Sequence, residues 1–191
     1  MSAGAIVGIV IGVIVVLGII VFFGIFNSLV GLRNQVRNSW SQIDVQLKRR
    51  HDLIPNLIET AKGYMKFEKE VMENVTKART AAVSASGQGV GQQAKAEGDL
   101  SGFLTRFFAV AENYPDLKAN KSFMALHEEL TSTENKISFA RQFYNDSVMN
   151  MNNKVQMFPS NVVAGMTGFR QEEFFQIEAP AEREVPKVSF S

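Results

Sequence analysis

Few side chains in this sequence could do chemistry. There are two histidines, His51 and His127, and no cysteine. Without thiols there can be no disulfide, no thiolate zinc site and no cysteine nucleophile. His51-Asp52 matches half of a metal-dependent phosphohydrolase pattern, and His127-Glu128-Glu129 could add ligands. A hydrolase built on these residues would need both histidines and their carboxylates to converge on one ion, and such sites draw on more His and Asp than this chain has. The sequence therefore assigns no catalytic residue, no metal ligand and no cofactor, and the expectation is a protein that is not an enzyme.

A denser cluster is Lys48-Arg49-Arg50-His51-Asp52. Arg50 falls on an apolar helical seam, where a charge costs stability unless it is paired. Two readings stand. Arg50 pairs with a carboxylate such as Glu129 or Glu134 and sets the register of neighbouring helices, or Lys48, Arg49 and Arg50 contact a partner or an anionic lipid headgroup. Gly87, Gly89 and Gly91 superficially resemble a phosphate-cradling loop. That chemistry needs a preceding strand and a lysine at the following helix start, and neither is present, so they read as a turn.

The elements that must position these residues begin with a membrane segment. Ala5 to Phe26 carries no charged residue. A helix of that length spans about 33 Å, enough to cross a hydrocarbon core. No basic n-region or small-x-small cleavage pattern accompanies it, so the expectation is an uncleaved anchor. Arg33 and Arg37 lie just beyond it, which by the positive-inside rule puts the N-terminus outside and the bulk of the chain in the cytoplasm. Gly4, Gly8 and Gly12 recur every four residues on one face. Such a face lets helix backbones approach closely in lipid, and copies of the chain could pack through it.

Beyond the anchor the apolar residues step by threes and fours, as a heptad core requires. One seam runs Leu29, Val36, Trp40, Ile43, Leu47, Ile54, Leu57, Ala61, Tyr64, Val71, with Pro55 expected to kink it. Ser84 to Gly98 reads as a Gly/Ser/Gln-rich connector. A second helix is expected near Asp99 to Glu112. The last long helix begins near Pro115 to Lys118, with Phe123, Leu126, Leu130, Thr133, Ile137, Ala140, Tyr144, Ser147, Met151 and Phe158 as its seam. Turns at Gly165 and Gly168 and a Pro-punctuated tail follow. The fold class is thus all-α: a single N-terminal transmembrane helix, then an elongated antiparallel three- to four-helix bundle with long coiled-coil-like helices. The expected divisions are an anchor over residues 1–27, a bundle over 28–170 and an acidic, mostly extended tail over 171–191.

Charge follows this layout. The net charge of +1 and the lack of a basic domain argue against a nucleic-acid partner. Asn27 to Val83 is net +4 and Gln171 to Ser191 net −3, so the basic excess sits where the chain leaves the membrane and would meet anionic headgroups.

Several runs resemble the LemA family. They are LVGLRNQVRNSWSQIDVQLKRRHDLIPNLIETAKGY (Leu29 to Tyr64), ENYPDLKANKSFMALHEELTSTENKISFARQFYND (Glu112 to Asp146), FPSNVVAGMTGFRQEEFF (Phe158 to Phe175) and AEREVPKVSF (Ala181 to Phe190). The resemblance implies a bacterial inner-membrane protein with an N-terminal anchor and a helical bundle, in a family some of whose members are associated with magnetosome membrane formation. It carries no catalytic residue onto this chain, and the glycine face is not a feature it supplies. The expected function is a membrane-anchored helical scaffold that contacts lipid, forms homo-oligomers and organises membrane or recruits partners. The alternative is an adaptor or regulator of another membrane protein, such as a protease or transporter.

Overall fold

The computed structural model describes residues 2–176. Among the described residues there are six helices and no strand: α1 Ala3–Lys62, α2 Lys69–Ala85, α3 Val90–Ala111, α4 Pro115–Lys118, α5 Lys121–Gln156 and α6 Ser160–Thr167. The fold is all-α, opening on one long apolar helix. The helices build two compact units. One takes α1 up to Ser41 together with Gln142–Glu172, and the other takes Gln42–Arg141 together with the described chain from Glu173 on. Of the expected tail, residues 177–191 lie outside the described residues.

The second unit is a bundle of the C-terminal part of α1, α2, α3 and the N-terminal part of α5. Short turns make successive helices antiparallel. The α1 seam supplies Ile54, Leu57 and Ala61, α2 supplies Met72, Val75, Ala78 and Ala82, and α3 supplies Leu100, Leu104 and Phe107, all buried. The alanines of α2 carry little side-chain bulk and let α3 approach closely. The chain from Glu173 returns to this unit. Phe175 is buried, and the Glu173 carboxylate lies so near Gly91 that a Cβ added there would sit 2.5 Å from Oε1.

Three expectations need correction here. Ser84 to Gly98 is not one connector. Only Ser86 to Gly89 breaks the helices, with Gly87 and Gly89 at φ values of 80° and 114° that favour glycine, and α3 begins at Val90. Gln92 to Glu97 are all good helix formers, and together with burial of Ala94 and Glu97 they outweigh the cost of Gly91 and Gly98. Secondly, α1 ends at Lys62, so Tyr64 and Val71 leave its seam, and Met65 takes the buried place. Thirdly, Pro115 to Lys118 is a separate turn of helix. Lys121 opens α5, and Asn120 caps it, its Oδ1 accepting hydrogen bonds from the backbone N–H groups of Ser122 (2.9 Å) and Phe123 (3.1 Å).

Pro55 does not interrupt α1. Proline has no N–H, so the His51 carbonyl four residues earlier loses its helical partner. Arg79 of α2 replaces it, donating from Nε to that carbonyl at 2.6 Å.

In the first unit, α1 and α5 bury Leu29, Val36 and Ser39 with Tyr144, Ser147, Val148 and Met151. Trp40 is half-buried, edge-on to the Tyr144 ring at 5.3 Å. Phe158 is not on the α5 seam. The helix stops at Gln156 and the ring is 83% exposed. The segment read as Gly-containing turns is largely helix α6, which Gly168 ends in the left-handed conformation at φ 77°. Phe169 then packs edge-on to Phe26 with centroids 6.0 Å apart, and the Arg33 guanidinium stands 4.9 Å over the Phe169 ring. Asn152 and the Glu172 backbone exchange two hydrogen bonds of 2.9 and 2.8 Å that hold the returning chain.

Candidate functional site

Two places in the molecule concentrate unusual chemistry: a buried charge network in the second unit, and the apolar exposed start of α1 in the first.

The network centres on Arg50. Its seam position on α1 points it inward, and it is 1% exposed. Its guanidinium ion-pairs with Glu97 of α3 and donates Nη1 to Glu134 of α5 at 2.6 Å and to Ser101 of α3 at 2.8 Å. Ser101 in turn donates to Glu134 at 3.2 Å. On the other side of Glu97, His51 Nε2 lies 2.9 Å from Oε1. One α1 turn thus meets carboxylates from two other helices. Burial alone would push the Glu97 carboxyl up. The His51 ring close to its Oε1 and the Arg50 guanidinium together outweigh it and hold the group below its usual range. Glu97 therefore stays ionised inside the bundle.

The sequence paired Arg50 with Glu129 or Glu134. The structure pairs it with Glu134, while Glu129 takes the neighbouring, exposed Arg49. Lys48 is exposed. Glu97 escaped the sequence reading because it lay in the segment taken for a connector. The signal was present: Ala94, Glu97, Leu100 and Leu104 repeat at the spacing of one helix face. His51 and His127 have different surroundings. His51 adjoins Glu97, whereas His127 sits with its ring 4.4 Å from that of Phe108 and 6.4 Å from that of Phe123. A cavity of about 230 Å³ beside the network is lined by Arg50, Ser101, Glu134 and His127 with Leu104 and Phe108. Among the described residues no three His, Asp or Glu side chains gather as a metal would require.

At the start of α1, Ile6 to Leu17 and Ile19 to Val21 present their large apolar side chains about half exposed or more. This is the one helix among the described residues long and apolar enough to cross a membrane, and its most apolar stretch buries nothing within the chain. Gly4, Gly8 and Gly12 lie in it, and a Cβ on any of them would touch nothing within 4 Å. That face is open to whatever surrounds the helix.

Comparison with known proteins agrees with a membrane-associated helical chain. Residues 39–190 match the model of the LemA family. The magnetosome protein MamQ 2 of Paramagnetospirillum magneticum is 25% identical over 197 residues, covering 88% of this chain and 72% of that protein. Protein LemA of Metamycoplasma hominis is 28% identical over 158 residues, 82% of this chain and 71% of that one. MamQ of Magnetospirillum gryphiswaldense is 23% identical over 180 residues, 82% and 66% of the two chains. None of these names is that of an enzyme.

Proposed function

This chain belongs to the LemA family, and we propose that it is a non-enzymatic, membrane-anchored helical scaffold that self-associates and organises membrane or recruits partners. The observation that carries the reading is the continuity of α1. The same helix that exposes an apolar, glycine-faced run also supplies buried residues to both compact units. Packing of two anchors would therefore act directly on the folded parts. Within each copy the Arg50–Glu97 pair sets helix register, because few alternative packings would satisfy both charges. The similarity to magnetosome proteins supports membrane organisation as the setting. Arg33 and Arg37 support an orientation with the helical domain on the cytoplasmic side of a bacterial inner membrane. The exposed Lys48 and Arg49 are the proposed contacts for partner or headgroup.

Oxidative cross-linking of the full chain in vesicles tests self-association, since the chain has no native cysteine. Val15 lies on the glycine face by helical spacing and Val10 lies opposite it. Val15→Cys should give disulfide-linked dimers well above Val10→Cys. Equal yields, or none from either, would contradict packing through Gly4, Gly8 and Gly12.

A further inference from the structure

We propose that α6 is a membrane-surface helix that beds its outer face into the bilayer beside the anchor. The inference rests on the anchored reading of α1.

The apolar surface comes first. Phe158, Val162 and Met166 recur every four residues and are 83%, 52% and 74% exposed. Met157, beside them, is 60% exposed. Single exposed apolar residues are ordinary. Four on one short segment, Val162 and Met166 on α6 with Met157 and Phe158 in the turn that leads into it, form a patch that asks for a partner. The opposite face of α6 is committed, with Ser160, Val163 and Ala164 buried. The turn that presents Phe158 is also held, since the Ser160 hydroxyl lies within 2.6 Å of the Lys154 carbonyl and 2.8 Å of the Met157 carbonyl.

Position says what that partner is. The residue that follows α6 and its Gly168 cap is Phe169, which packs on Phe26 and under Arg33 of α1. Phe26 is the last residue of the unbroken apolar run, which Asn27 ends, and Arg33 is the first charged residue beyond it. Along α1 they are about 10 Å apart. The end of α6 therefore sits at the level where the anchor passes from hydrocarbon to headgroups. The charge pattern agrees. No Asp, Glu, Lys or Arg occurs between Lys154 and Arg170, and both bracketing residues are basic. A short apolar face ending in cations fits an anionic bilayer surface, where such helices lie in the plane of the interface. An acidic residue in the patch would have spoken against it, and there is none.

The test uses the full chain with a single cysteine at Val162 or Met166, carrying an environment-sensitive fluorophore, in nanodiscs of phosphatidylethanolamine and phosphatidylglycerol. Ile14→Cys reports the anchor, and exposed Asn135→Cys reports water. The account expects blue-shifted emission at positions 162 and 166, quenched by doxyl-labelled lipid, with neither effect at 135. Labels at 162 and 166 that behave like position 135, while position 14 is lipid-quenched, would overturn the inference and leave the anchor standing. Blue-shifted emission that doxyl lipid does not quench would mean that protein, a second copy included, covers the face, and would overturn it too. A label at position 14 that reads as water would sink the anchored reading itself.

Discussion

Replacing Arg50 with methionine isolates the buried charge network. The substitution keeps a long side chain in the seam and removes only the guanidinium. Glu97, itself 1% exposed, would then keep the His51 ring 2.9 Å from Oε1 but lose its guanidinium partner, while the Glu134 side chain, 48% exposed, can turn to water. Leaving one partner of a buried ion pair uncompensated costs about 3–5 kcal/mol, roughly two to four powers of ten in the folding equilibrium. The adjacent residue is the control. Arg49→Met removes the same charge from the same helix, but its pair with Glu129 is 45% and 39% exposed, and exposed pairs contribute under about 1 kcal/mol. Urea unfolding of the full chain in mild detergent, followed by circular dichroism, should separate the two variants by at least about 2 kcal/mol. Equal losses below about 1 kcal/mol would refute the reasoning, because Arg50 would then behave as a surface charge.

The same network sets an acid limit. Glu97 is held below its usual value of 4.5 in the folded state, so its stabilising contribution is present above that value and is lost as pH falls through the lower, folded one. A stability–pH curve should therefore steepen below about pH 4.5 in the native chain. In Arg50→Met the burial effect loses one of its two opponents, His51 remaining, so the deficit relative to the native chain should shrink on acidification. Arg79→Met should cost about 1–3 kcal/mol in the same urea assay, because it leaves the His51 carbonyl above Pro55 unsatisfied; no measurable cost would mean that the carbonyl finds another donor. Orientation is read from Asn153→Cys in whole cells, where a membrane-impermeant maleimide should label only after the inner membrane is opened. Labelling of intact cells with a permeable outer membrane would reverse the proposed topology.

Much of this architecture was legible in sequence, and the failures have physical causes. Leu29, Val36, Ile43, Leu47, Ile54, Leu57 and Ala61 form one seam in the sequence and all are buried. Their spacing is a property of the helix itself, so a linear pattern suffices. Tyr64, Val71 and Phe158 keep the spacing of seams whose helices have already ended, because a three-four rhythm continues by chance for a residue or two past a helix terminus. The start of α3 is obscured by Gly87, Gly89, Gly91 and Gly98, which disfavour helix, although Gln92 to Glu97 are good helix formers and burial of Ala94 and Glu97 adds to them. That hides Glu97 and with it half of the charge network. Arg50 was legible as a misfit on an apolar seam. Which carboxylates answer it depends on how four helices are arranged, which no local pattern contains. Helix α6 escaped for a related reason: eight residues with two glycines nearby look like turns until Val163 and Ala164 are seen to pack.

The account centres on self-association through a membrane anchor. Native mass measurement of the full chain released from nanodiscs or mild detergent, over a range of protein-to-lipid ratios, tests that most directly. The account predicts an oligomer of defined size that persists on dilution and is weakened by Gly8→Leu, a change that meets no atom within its own chain. A strict monomer at every ratio would contradict it.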